Sequence, residues 1–180
     1  MDINERKAAV KRSFFAYRNG VVADVMRRGG SPYHMIFGLT LAQVADIANG
    51  IGRDDELARE LWFTDDVRES AMLAPMLVNP DIFGCEDAIE WVVAVKSVEI
   101  ADILALKLLR RTECVSEIVS VLCREDQDDL QRYVGLRTAF GLLASDPEPV
   151  RLLAQNELKR NCQLTAPVAR QLLGMLQPSE

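Results

Sequence analysis

The chain is poor in the residues that build metal centres. Its 180 residues hold one histidine, His34, and four cysteines, Cys85, Cys114, Cys123 and Cys162, with no Cys-x-x-Cys spacing among them. A zinc site needs clustered thiolates and imidazoles, so no metal is expected and the thiols read as reduced and structural. His34 stands alone in a Ser-Pro-Tyr-His loop, with no partner at ligand spacing, and is not expected to be catalytic. No uninterrupted apolar run approaches the ~20 residues of a spanning helix, which argues against a membrane protein. The N-terminus is charged from Asp2 and does not read as a secretion signal, so the cytoplasm is the expected compartment. Strict polar–apolar alternation is missing as well, and nothing reads as β.

What is present is helical. Hydrophobic residues make up 49% and charged residues 27%, the balance of a globular domain, here a single all-α domain over 1–180. Apolar spacing predicts helices near 4–19, 21–28, 40–50, 54–63, 66–78, 84–95, 98–111, 114–124, 128–145, 147–161 and 165–176. Thr40, Asp146 (followed by Pro147) and Thr165 are candidate caps, and Asp66 with Glu69 resembles a capping box. Over 54–176 the helices fall into about four pairs with short loops, the period of degenerate HEAT-like repeats. A helix pair cannot bury its apolar face alone, so stacking into a curved solenoid is expected, with a concave groove lined by the second helix of each pair. Trp62 and Trp91 lie on apolar stripes and read as core.

Charge is unevenly spread. The net charge is −6, yet residues 1–30 carry seven basic against three acidic side chains, a basic section of +4 that leaves −10 elsewhere. Such an arm can meet a phosphate backbone or simply be a solvated helix face. One acid stands out against this background. Asp102 falls at helical spacing beside Val98, Ala105, Leu106 and Leu109, and a carboxylate on an apolar stripe needs a partner or a task. Its place near a helix N-terminus, or a local Arg or Lys, could equally account for it.

Several segments in order resemble the AlkD-like DNA alkylation repair proteins, of the HEAT-like repeat DNA glycosylase superfamily. They are Phe37-Gly38-Leu39-Thr40, Leu57–Trp62 with Val67–Ala74, Lys96–Asp102, Leu136–Ala139 and Val150–Lys159. The resemblance implies a HEAT-like solenoid that cradles duplex or damaged DNA and uses no cofactor. It places the family's catalytic aspartate at Asp102, the family's acid after the first Trp at Glu99, its groove arginine at Arg137 and a further basic contact at Lys159. The charge of the N-terminal basic section, apart from the resemblance, makes Lys11 and Arg12 candidate DNA contacts. Active members excise N3- or N7-alkylated purines, whose cationic sugar a carboxylate and aromatic rings stabilise. Here the aromatic positions hold Val98 and Asn156. The expectation is therefore a DNA-binding relative with weak or no base excision. The alternative is a non-catalytic scaffold that holds a protein partner in the same groove.

Overall fold

A computed structural model describes residues 2–176, and within them the chain is all-helical, with eleven α-helices and two short 3-10 turns. By their internal packing the helices form two compact units, Met1–Asn79 and Pro80–Glu180. The helical-repeat architecture expected from the sequence is what the chain adopts.

The first unit contains α1 (Ile3–Ala16), α2 (Gly20–Arg28), α3 (Leu41–Ile51), α4 (Asp55–Thr64) and α5 (Arg68–Leu77). Helix α1 opens on a capping box of Asp2 and Glu5, and α3 on one of Thr40 and Gln43, as Thr40 predicts. Helix α5 is the core element, with every residue buried except Met76. Asp66 and Glu69, by contrast, do not form the expected capping box. The N-cap of α5 is Val67, and Glu69, with no exposed surface, reaches away from its own helix. Its carboxylate accepts the backbone N–H groups of Phe37 (3.0 Å), Gly38 (2.9 Å) and Leu39 (3.3 Å), and Arg68 pairs with it at 2.9 Å. A buried carboxylate is tolerable only when so matched. Gly38 is obligatory there: its φ is +83°, and a Cβ would meet the Asn19 carbonyl oxygen at 2.4 Å.

The second unit contains α6 (Cys85–Val93), α7 (Val98–Lys107), α8 (Val115–Leu122), α9 (Asp129–Ala139), α10 (Pro147–Lys159) and α11 (Ala166–Met175); α8 packs on α9 and α10 on α11, whereas α6 packs on α8 and α9 rather than on α7. Helix α7 packs on α9, and α9 on α11, so the second helices of the three pairs form one layer. Gly135 lets α8 and α9 approach closely, since a Cβ there would lie 2.7 Å from the Cys123 sulfur. Two expected helices are shorter than the pattern suggests. The 98–111 segment stops at Lys107 and continues as a 3-10 turn, Leu109–Arg111, while 128–145 gives α9 and a 3-10 turn, Phe140–Leu142. Apolar spacing alone does not separate a 3-10 turn from the α-helix it ends.

Two further caps are corrected. Asp146 makes no side-chain cap bond, and Thr165 gives its hydroxyl to the buried Glu157 (2.6 Å) instead of to its own helix. Trp62 and Trp91, with 8% and 2% of their surfaces exposed, are core residues as expected.

Candidate functional site

The site candidate is built on the layer of second helices. On α7 the core stripe is Ile100, Ala101, Ile103, Leu104 and Ala105, and Asp102 lies at its edge. Val98 and Leu106, a turn either side of Asp102, are 39% and 37% exposed. The expectation that Asp102 sits on a buried stripe is thus corrected: its side chain retains 38% of its exposure. A one-position error in the orientation of a helix is enough to convert an edge into a core face.

Asp102 is nevertheless tightly held. Arg137 Nε of α9 lies 2.6 Å from Asp102 Oδ1, and the Tyr133 hydroxyl, one turn earlier on α9, donates to the same oxygen at 3.0 Å. Arg137 Nη1 in turn donates to Gln171 Oε1 of α11 at 3.3 Å, and its guanidinium lies 5.2 Å from the centre of the Phe140 ring. One polar row therefore crosses α7, α9 and α11. Asp102 Oδ2 and Arg137 Nη2 make no hydrogen bond among the described residues, so the row presents one free acceptor and one free donor. Burial first, then the hydrogen bond to Asp102, pushes the Tyr133 phenol up to about 12, so at neutral pH it is a fixed donor. Tyr133, Phe140 and Gln171 were not singled out from the sequence. The i,i+4 spacing of Tyr133 and Arg137 was the available signal.

The other expected site residues fall into separate groups. Asn156 and Lys159 are exposed on α10 and bond each other, Nζ to Oδ1 at 2.8 Å. Neither bonds Asp102 or Arg137 among the described residues. Val98 and Glu99 are exposed at the start of α7. Lys11 and Arg12 belong to α1 of the first unit. Lys11 pairs with Asp65 at 2.9 Å, whereas Arg12 is exposed and has no partner among the described residues. No group of His, Cys, Asp or Glu that could hold a metal occurs among the described residues. No helix among them is long and apolar enough to cross a membrane.

The same helix α9 also supplies a sealed counterpart. Arg132, 4% exposed, binds Glu157, 1% exposed, through Nε at 3.1 Å and through Nη2. Its Nη1 meets the carbonyl oxygens of Cys123 (2.7 Å) and Arg124, which close the C-terminus of α8. Thr165 and Arg160 complete the Glu157 carboxylate. This cluster is structural.

No family model matches the chain, and no curated protein matches it in sequence. Among solved structures, one is described as "a new family of proteins related to the HEAT-like repeat DNA glycosylases with affinity for branched DNA structures". It is similar with a TM-score of 0.80 over 98% of this chain and 76% of that one, at 17% sequence identity. At that identity the likeness establishes the fold.

Proposed function

We propose that this protein binds DNA, with a preference for branched structures, and has weak or no base-excision activity. The observation that carries the reading is the Asp102–Arg137–Gln171 row, a partly exposed polar line over three helices with one donor and one acceptor free. A DNA phosphate placed against Arg137 Nη2 accepts its N–H and takes position without any base being read. The fold likeness to a protein family with affinity for branched DNA supports the same direction.

The chemistry of the row disfavours excision. A carboxylate assists release of a cationic base by placing negative charge beside the sugar as positive charge develops. The charge of Asp102 is already opposed by a guanidinium at 2.6 Å and a hydroxyl at 3.0 Å on one oxygen. The two positions where the resemblance expects rings are an aliphatic side chain, Val98, and an amide, Asn156, which bonds Lys159. Neither supplies a π face to a cation. The site fits a phosphate better than it fits a cationic transition state.

A second reading has its own observation. A largely apolar groove of about 500 Å³ lies between α8 and α10, walled by Val119, Leu142, Val150 and Leu153. With the net charge of −6, it favours a scaffold that receives a protein partner.

The test is binding to a four-way junction and to duplex DNA across a salt titration, with release of methylated bases measured in the same samples. Salt-sensitive, junction-preferring binding without base release is expected. Base release that Asp102→Ala abolishes establishes a glycosylase instead. Absence of binding at low salt leaves the scaffold.

A further inference from the structure

The first helices of the second unit do not close into a continuous layer. Helix α6 packs on α8, but α8 and α10 stand apart, and between them runs the groove of about 500 Å³ with its apolar walls. Its polar residues are ordered. Ser116, Ser120 and Arg124 follow at intervals of four along α8 and so share one face, and Asp146, at the start of α10, is the acid of the lining. Neither serine hydroxyl nor either charged side chain has a partner among the described residues. Arg124 and Asp146 thus line one groove without pairing with each other.

Arg132 fixes the end that each charge occupies. Its guanidinium bonds the Cys123 and Arg124 carbonyls at the end of α8 and also Glu157 in the last turn of α10. The two C-termini therefore lie together, and since both helices line the groove along their lengths, they run in the same sense. Arg124, past the end of α8, stands at one end of the groove, and Asp146, which starts α10, at the other. The lining covers positions 116–124 of one helix and 146–153 of the other, a length of about 10–12 Å at 1.5 Å per residue. Three extended residues, at about 3.3–3.6 Å each, have the same length.

Opposite unpaired charges at the two ends of an apolar floor complement a ligand that is apolar in its middle and carries both signs at its ends. A simple anion fits less well, because Glu125 and Asp126 follow Arg124 and the chain's net charge of −6 opposes it. A simple cation leaves Arg124 unmatched. A zwitterion has no net charge to be repelled and matches both ends.

We infer that the α8–α10 groove binds short apolar peptides of about three residues with both termini free. The ammonium group lies against Asp146, the carboxylate against Arg124, and the side chains on Val119, Leu142, Val150 and Leu153. A guanidinium takes a carboxylate through two parallel N–H donors, and the Ser120 hydroxyl, one turn before Arg124, offers a third. This site goes beyond the DNA-binding reading and uses no residue of the Asp102–Arg137–Gln171 row.

The test follows the full chain by NMR chemical-shift titration with the tripeptide leucyl-alanyl-leucine and with its N-acetylated, C-amidated and doubly blocked forms. The free tripeptide is expected to bind at millimolar concentration, with shifts at Ser120 and Val150. Each single block is expected to weaken binding about threefold, since both charged side chains are exposed. Asp146→Asn is expected to weaken the free peptide by the same factor and leave the N-acetylated one unchanged. Arg124→Gln is expected to weaken the free peptide and leave the C-amidated one unchanged. Ser120→Trp, which fills the groove from an exposed position, is expected to abolish binding, an unchanged melting curve verifying its fold. Equal binding of the free and doubly blocked peptides overturns the inference and assigns the groove to an internal segment of a protein partner. Losses in the two charge variants that are the same whichever terminus is blocked overturn it too, because the charges then do not read the termini. Absence of binding by the free tripeptide at millimolar concentration overturns it outright.

Discussion

Two carboxylate–arginine clusters hang from helix α9 and have opposite fates. Arg132 and Arg137 are five positions apart, about 140° around the helix, so one points into the packed interior and the other to the edge. Each meets a carboxylate that also accepts a hydroxyl: Glu157 with Thr165, Asp102 with Tyr133. In the Glu157 cluster Arg132 uses three nitrogens, and the carboxylate is 1% exposed. In the Asp102 cluster one carboxylate oxygen and one guanidinium nitrogen stay open, and 38% of the acid's side chain faces solvent. The same pair of functional groups is thus a structural element when every atom is matched, and a candidate ligand site when some are left over.

The sharpest way to break this comparison is stability. Glu157→Ala leaves the Arg132 charge buried without its partner and is expected to cost about 3–5 kcal/mol. Asp102→Ala removes a half-exposed pair that water largely screens, and is expected to cost less than about 1 kcal/mol. Urea denaturation of both variants measures the difference, and equal costs erase the distinction. Glu69→Ala belongs with the sealed class, since it strands Arg68 and three backbone N–H groups of the 37–39 loop. It is expected to destabilise the first unit by a similar amount, about 3 kcal/mol or more.

DNA affinity sharpens the comparison further. Asp102→Asn takes a negative charge away from the phosphate path and frees Arg137, so DNA binding is expected to tighten severalfold, read by fluorescence anisotropy. Lost affinity would mean that the acid itself touches the ligand.

A smaller effect concerns pH. Burial pushes Tyr133 up from 10 to about 12 and the Cys123 thiol, near Arg132 and Glu157, from 9 to about 12. The folded state therefore holds both protons longer than the unfolded state does. The stability these groups contribute is complete below their unfolded pKa values and declines as pH rises from about 9 through about 12. Tyr133→Phe is expected to flatten the part of that decline above about pH 10, measured as melting temperature against pH. Native Cys123 is likewise expected to react slowly with iodoacetamide at neutral pH.

Much of this was legible in the residues because helical periodicity is a local signal. The packing of α8 on α9 and of α10 on α11, the core tryptophans and the Thr40 cap all follow from spacing and cap chemistry. The side-chain network was less legible, because its partners are distant in sequence. Glu69 three residues after Asp66 reads as a local cap, yet the backbone N–H groups it accepts lie 30 to 32 residues earlier. Thr165 at a helix start reads likewise, yet it serves Glu157 on the preceding helix. Asp102 and Arg137 were each identified from the sequence. That they meet depends on how α7 packs on α9, which no pattern within either helix encodes.

The most direct measurement is the salt dependence of junction binding for wild type and Arg137→Gln. If Arg137 contacts a phosphate, the substitution is expected to weaken binding and to reduce the slope of log affinity against log salt by about one. An unchanged affinity and slope, in a protein that still binds the junction, would contradict the assignment of the Asp102–Arg137–Gln171 row as the DNA-facing site.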